Sequence, residues 1–205
     1  KVNELLAAGA IGALVHAHYV SFADFMRGRD HGWLNDASLG GGWLGALGSH
    51  IIDAMRWQFG SEVVDCGGLS RVEVKQRGDG QGGTVESTAE DAFSIWLKMA
   101  NGGTAVLESA ACAAMALPQS MTFLGTDGVI VLENEAVVRL TRKGQEPQVF
   151  DCTPPKAKSG WAPLEAWIGD LEQALKNRTQ LAPNFDDGVA TAEVMEQLKA
   201  RMVRA

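Results

Sequence analysis

His50 and Asp53 are the residues of this chain whose types and spacing could do chemistry. A separation of three makes them neighbours on the surface of a helix. An imidazole with a reference pKa near 6.5 can exchange the proton of a hydroxyl or carbonyl group near neutral pH. Asp53 could fix the tautomer of that ring, or it could brace the fold. The alternative for the pair is a histidine satisfied in a core and an aspartate bonded to nearby backbone, because a lone histidine is weak evidence of chemistry.

The element that must position them is Gly40 to Gly60, GGGWLGALGSHIIDAMRWQFG. Apolar residues recur there at Leu44, Leu47, Ile51 and Met55, a helical stripe rather than a strand. Gly42, Gly45 and Gly48 are spaced by three within the expected helix, and Gly41 precedes them. An interior glycine costs roughly 1 kcal/mol against alanine, so a plain core helix would avoid them. The expected role is a helix side that admits another backbone or a flat ligand at close range.

The GGG run followed by Gly48-Ser49-His50 and Asp53 resembles the C-terminal domain of the Gfo/Idh/MocA oxidoreductases, the glucose–fructose oxidoreductase and inositol dehydrogenase family. Leu5 to Val15 resembles that family's link from its dinucleotide domain into the first strand. Thr88 to Trp96 with Asn101-Gly102-Gly103 resembles its central hairpin, and Phe185-Asp186-Asp187-Gly188 with the following helix resembles its C-terminus. The resemblance covers nearly the whole chain. It implies an α+β fold of the glyceraldehyde-3-phosphate dehydrogenase C-terminal type, with NAD or NADP bound mainly by an N-terminal domain that lies outside these residues. In the family that domain also supplies a lysine near the hydride-transfer site. Family members often carry an aspartate four residues before the histidine; here that position is Ala46, so the pairing of acid and histidine does not carry over.

Composition bounds the alternatives. A chain of 205 residues can be one large domain or two small ones, and 46% hydrophobic residues are ample for a core. A formal net charge of −7 argues against a nucleic-acid footprint. No stretch is long and apolar enough to read as a transmembrane span. The N-terminus is too charged and too interrupted by glycine for a signal peptide, and the absence of an initiator methionine suggests an internal start. Cys66, Cys112 and Cys152 are odd in number and far apart, as expected of reduced thiols in a cytoplasmic protein.

Taken in order, residues 1–9 read as a short helix ending at Gly9, and Ala13 to Phe22 as a strand with His16, His18 and Val20 on one face. His16-x-His18 could hold a metal only with a third ligand, and a solvated or subunit-facing strand is the preferred reading. Asp24 to Leu39 is expected as a long loop, with Arg29 and Trp33 as candidate substrate contacts. Strands are expected over Val63 to Lys75, Ala92 to Met99, Thr104 to Ala113, Met121 to Leu124, Val129 to Glu133, Ala136 to Thr141 and Gln148 to Phe150. Arg77 to Ser87 reads as a hairpin tip. Its Gly78-Asp79-Gly80-Gln81-Gly82-Gly83 matches G-x-G-x-x-G in letters only, since no helix follows. Asp151 to Gly160 reads as a linker, and Pro163 to Lys176 and Val189 to Val203 as amphipathic helices. The expected architecture is one mostly antiparallel sheet covered by helices on one face, the other face being free for a homodimer or larger assembly.

The functional expectation is the substrate-binding domain of an NAD(P)-dependent oxidoreductase for a sugar, polyol or related hydroxyl or carbonyl compound. His50 is its catalytic residue, Arg29, Trp33 and Asp53 its substrate contacts, and Gly41, Gly42, Gly45 and Gly48 its close-approach positions. No cofactor-binding or metal residue is expected within the chain, and the fragment alone should be inactive. The other class is a non-catalytic binding or assembly domain that kept the fold, which Ala46 favours.

Overall fold

The structure, a computed structural model, describes residues 1–154 and 162–205. Helix α1 (Val2–Ala7) leads into strand β1 (Leu14–Phe22). A π-turn (Leu44–Gly48) runs directly into helix α2 (Ser49–Phe59), closed by Gly60 in the left-handed conformation that glycine adopts freely. Strands β2 (Val63–Arg71), β3 (Gln76–Gly78), β4 (Thr84–Glu86), β5 (Ala92–Met99) and β6 (Thr104–Ala110) follow. Then come β7 (Ser120–Gly125), β8 (Gly128–Glu133), β9 (Val137–Arg142) and β10 (Gln148–Asp151). Helices α3 (Ala162–Asn177) and α4 (Phe185–Arg201) and the two-residue strand β11 (Val203–Arg204) end the chain.

Nine strands form one sheet in the order β10-β9-β8-β7-β1-β6-β5-β2-β11. The pairs β1–β6 and β2–β11 are parallel, and every other ladder is antiparallel. Asn101-Gly102-Gly103 turns β5 into β6, with Gly102 at φ +90°, as its residue types demand. Alternation then decides the faces. Ala17, Tyr19, Ile95, Leu97, Leu107, Phe123, Ile130 and Leu140 are buried on one side. Against them pack Ile52 and Met55 of α2 and Val194 and Leu198 of α4. The opposite side carries His16, His18, Trp96, Val106, Leu124 and Val149, half-buried or exposed, and no helix covers it among the described residues.

Four sequence expectations change. The glycine helix begins only after Gly42, so Gly41 and Gly42 lie in the loop before it. The strand expected to reach Lys75 ends at Arg71, because the Asp91 carboxylate accepts the amides of Glu73 (2.7 Å) and Val74 (3.1 Å) and draws them off the ladder. The hairpin tip contains its own small sheet, β3 with β4, held by buried Arg77, which donates to the Met26 carbonyl at 2.6 Å and lies 3.5 Å from Asp91. Helix α4 starts four residues earlier than expected, at Phe185, where Asn184 and Asp187 form a reciprocal cap, and it ends at Arg201, since Val203 pairs with Leu69 in the sheet. The expected linker from Asp151 falls largely outside the described residues.

Candidate functional site

His50 sits in the first turn of α2, directly after the π-turn. In that turn the Ser49 amide reaches back to the Leu44 carbonyl, five residues away, while the Ser49 hydroxyl donates to the Gly45 carbonyl at 2.7 Å. Such single π-turns within helices are frequent at functional sites. The widened turn sets Gly45 on the His50 side, and a Cβ at Gly45 would meet nothing within 4 Å. Gly45 is thus the glycine that leaves open space beside the imidazole.

The other three glycines serve the fold. At Gly48 a Cβ would lie 2.7 Å from Leu44 Cδ1 and 3.4 Å from the Phe93 ring, so Gly48 lets the helix settle on β5. Gly42, at φ +130°, lies against the carboxylate of Glu90, whose carbon would be 2.8 Å from a Cβ there. Gly41 lies against the carbonyls of Trp33, Leu34 and Asp36.

Glu90 is the residue that sequence reasoning missed. Its carboxylate accepts the Leu44 amide at 3.1 Å and its carbonyl accepts the Trp43 amide at 2.8 Å. A carboxylate at the N-terminal end of a helix satisfies orphan amides and is favoured by the helix dipole. Nothing in the sequence links Glu90 to a helix that starts more than forty residues earlier, so only the tertiary structure could reveal it.

Gly45, Ser49, His50 and Asp53 form one wall of a cleft of about 910 Å³. Trp167, Leu171 and Leu175 of α3 and Phe185, Thr191 and Met195 of α4 line the rest of it. The volume suits a small-molecule ligand, and the arrangement of apolar walls with a few polar groups is that of a binding site. The His50 ring is exposed and has no side-chain hydrogen bond or ion pair among the described residues. Asp53 is held through one oxygen: Arg56 Nη1 donates to its Oδ1 at 3.0 Å, and the Thr191 hydroxyl lies 3.5 Å from the same atom. Arg56 itself is buried and gathers Glu62 (2.7 Å) and Asp187 (3.6 Å) as well, so the cluster ties α2 to α4. The Arg56 guanidinium holds the Glu62 carboxyl below the usual carboxylate range.

The loop residues are not brought to this cleft. Arg29 stacks over the Phe25 ring at 5.4 Å, and Trp33 is exposed in a short 3-10 turn (Trp33–Asn35). Neither lines the cavity that His50 lines. Ala46 does not line it either.

The Gly78–Gly83 turn does not fit a dinucleotide. The Asp79 carboxylate already accepts the amides of Gln81 (2.7 Å) and Gly83 (2.9 Å), bonds that hold its carboxyl below the usual range. A pyrophosphate would meet that negative charge instead of free amides. No cluster of three or more metal-type ligands occurs among the described residues; His16 bonds the Thr104 hydroxyl at 2.8 Å, and His18 faces Glu108.

Comparison with known proteins bears on what the cleft serves. The profile described as the GFO/IDH/MocA C-terminal domain matches residues 1–131. Glucose-fructose oxidoreductase domain-containing protein 1 of Mus musculus is 26% identical over 103 residues, which is 50% of this chain and 26% of that protein. An oxidoreductase domain protein from Kribbella flavida superposes with a TM-score of 0.84 at 19% identity, over 97% of this chain and 59% of that one. A levoglucosan dehydrogenase, solved in complex with NADH and L-sorbose, gives 0.83 at 19% identity with the same coverages. The matched stretch is about a quarter of the length of the curated relative, and the chain spans 59% of the two solved ones.

Proposed function

This chain belongs to the family of GFO/IDH/MocA C-terminal domains, and on that footing we propose that it is the substrate-binding domain of an NAD(P)-dependent oxidoreductase. The substrate class is a sugar, polyol or related hydroxyl or carbonyl compound. The observation that carries the reading is an exposed imidazole, His50, on a π-widened, glycine-opened turn at the wall of a cleft of about 910 Å³. The levoglucosan dehydrogenase solved with NADH and L-sorbose supports the same chemistry.

The nicotinamide supplies the hydride acceptor or donor and is held by a dinucleotide-binding domain other than these residues. The chain's own share is to bind and orient the substrate, with Gly45 admitting it closely. Apolar side chains of α3 and α4 give the substrate a hydrophobic surface. His50 takes the proton of the reacting hydroxyl in oxidation and returns it to the carbonyl oxygen in reduction. Asp53 bonds Arg56 and Thr191 through Oδ1 and stands in the cleft wall, so it braces α2 against α4 beside the substrate. Arg29 and Trp33 would reach a substrate only where it extends beyond this cleft. The isolated chain is inactive in this reading. It assembles as a homodimer or larger through the open sheet face and works in the cytoplasm, where Cys66, Cys112 and Cys152 stay as free thiols.

A second reading, a non-catalytic binding or assembly domain, is favoured by Ala46 and by an imidazole that no acid orients among the described residues. A cofactor-reduction screen separates the two, run on the protein that joins this chain to its dinucleotide-binding domain, with sugars and polyols as substrates. Reduction of NAD or NADP with any of them supports the enzyme. Binding of a sugar without reduction of either cofactor supports the second reading.

A further inference from the structure

The cleft beside His50 continues past Gly45 into a second cavity that the proposed chemistry does not use. This cavity, of about 510 Å³, lies between the start of the π-turn and the end of α4. Gly45, Met195 and Lys199 line both spaces. Helices α2 and α4 run in opposite directions along them. Arg56 of α2 meets Asp187 near the start of α4, and Gly45 shares its cavities with Met195 and Lys199 nearer the end. His50 therefore stands partway along one groove, with the second cavity beyond Gly45. A Cβ at Gly45 would meet nothing within 4 Å, so the passage beside it is open.

The two spaces differ in chemistry. Trp167, Leu171 and Leu175 give the His50 cleft an apolar side. The second cavity is ringed by Ser70, Thr88, Glu90, Lys199 and Arg204. Its size falls within the roughly 300–1,000 Å³ of small-molecule sites.

Their charges decide what kind of group fits. Lys199 is answered by Glu196 at 2.6 Å. Glu90 gives one oxygen to the Leu44 amide at 3.1 Å and has no cationic partner among the described residues. Arg204 donates from Nη2 to the Thr88 carbonyl at 3.0 Å and has no acid partner among them. The Ser70 hydroxyl bonds no group among them either. One carboxylate and one guanidinium, each without a counter-charge, leave the cavity neutral as a whole. A carboxylate or phosphate on the ligand would meet Glu90, and an ammonium would meet Arg204. Hydroxyl groups suit both, because each can donate to an acid and accept from a guanidinium.

We propose that the second cavity holds a second sugar ring, so that the substrate is a disaccharide or other neutral glycoside. Its reacting ring sits at His50, and its other ring lies past Gly45, donating to Glu90 and accepting from Arg204. The proposal rests on the oxidoreductase reading above and names its substrate class.

Two measurements test it. In the oxidoreductase that joins this chain to its dinucleotide-binding domain, kcat/KM is compared for glucose against maltose and cellobiose, and for galactose against lactose. The expected result is a disaccharide that exceeds its monosaccharide by about tenfold or more, the worth of one or two hydrogen bonds to charged groups. Arg204→Met, shown by circular dichroism to fold, should shrink that ratio about tenfold, mainly through KM. Monosaccharides that equal or exceed every disaccharide, or a ratio untouched by Arg204→Met, overturn the second-ring site and leave the oxidoreductase standing. In the 205-residue chain alone, NMR titration with maltose should shift the amides of Gly45, Thr88 and Glu90, and glucose should leave Thr88 and Glu90 unmoved. If none of these sugars reduces NAD or NADP, the oxidoreductase reading falls. The titration then decides the cavity by itself: shifts at Thr88 and Glu90 uphold it as a sugar site, and their absence overturns it as well.

Discussion

At the scale of single residues, His50 and Arg56 make opposite predictions although they share one helix. His50 is exposed and bonds no described side chain, so His50→Ala should leave the melting temperature of the chain within about 2 °C of the parent, as surface substitutions away from special contacts do. In the full oxidoreductase the same change should lower turnover by about 10²–10⁴-fold, the usual worth of general acid–base help. Steady-state kinetics per folded molecule checks this, and unchanged turnover would remove His50 from the chemistry. Arg56 is buried among Asp53, Glu62 and Asp187. Arg56→Met leaves three carboxylates crowded without a cation. The expected loss is roughly 2–3 kcal/mol in urea unfolding, below the value for a fully buried pair because the acids keep contact with water. The Glu62 carboxyl is held below its ordinary value, so its contribution is present above about pH 4.5 and is lost as pH falls through the depressed folded value. Arg56→Met should therefore flatten the acid limb of the stability–pH curve.

At the scale of the element, the helix with its π-turn separates two glycines that look alike in the sequence. Gly45 faces open space, so Gly45→Ala should stabilise the chain by about 0.5–1 kcal/mol, the helix-propensity gain, while filling the room beside His50 and weakening turnover. Gly48 lies against Leu44 and Phe93, so Gly48→Ala should destabilise it, because Leu44 must shift to admit the new methyl group. Thermal unfolding of the two variants side by side is the measurement, and equal signs would show that the turn is not built as described. The stripe Leu44, Leu47, Ile51 and Met55 made the helix legible. The π-turn within it was not, because one extra residue in a turn leaves no mark on so short a stripe. The start differs for a related reason: Gly42 fits the spacing of three, but it lies against the Glu90 carboxylate at φ +130°, a conformation outside the helix.

At the scale of the whole molecule, the proposed function assigns the dinucleotide to a domain other than these residues. Calorimetry of the 205-residue chain should detect no micromolar binding of NAD or NADP, since of its two G-x-G-x-x-G runs Asp79 occupies the amides of Gly78–Gly83 and the Glu90 carboxylate lies against Gly42 and the Leu44 amide in Gly40–Gly45. Micromolar binding of either would contradict that account. Helices α3 and α4 also leave Trp167, Ile168, Phe185 and Val189 exposed, Trp167 and Phe185 in the cleft wall. The sequence read α3 and α4 as cover for the core, and their apolar stripes are broader than the core requires. Among the described residues of these two helices, Val194, Met195 and Leu198 of α4 join the main core.

By itself the sequence did not show β3, β4 or β11, but it determined most strands of the main sheet, the hairpins at Asn101–Gly103 and Gly125–Gly128, the helical stripes and the helix that carries His50. Each of these depends on residues close together in the chain, where alternation, turn chemistry and helical spacing act directly. The tertiary structure alone decided what each polar group in those elements does. It brought Glu90 to the start of the helix, turned Asp53 toward Arg56, kept Arg29 and Trp33 out of the cleft, and set β1 in the middle of the sheet parallel to β6. Those contacts join residues far apart in sequence. Their pairing is fixed by which faces bury together, and no local pattern encodes that.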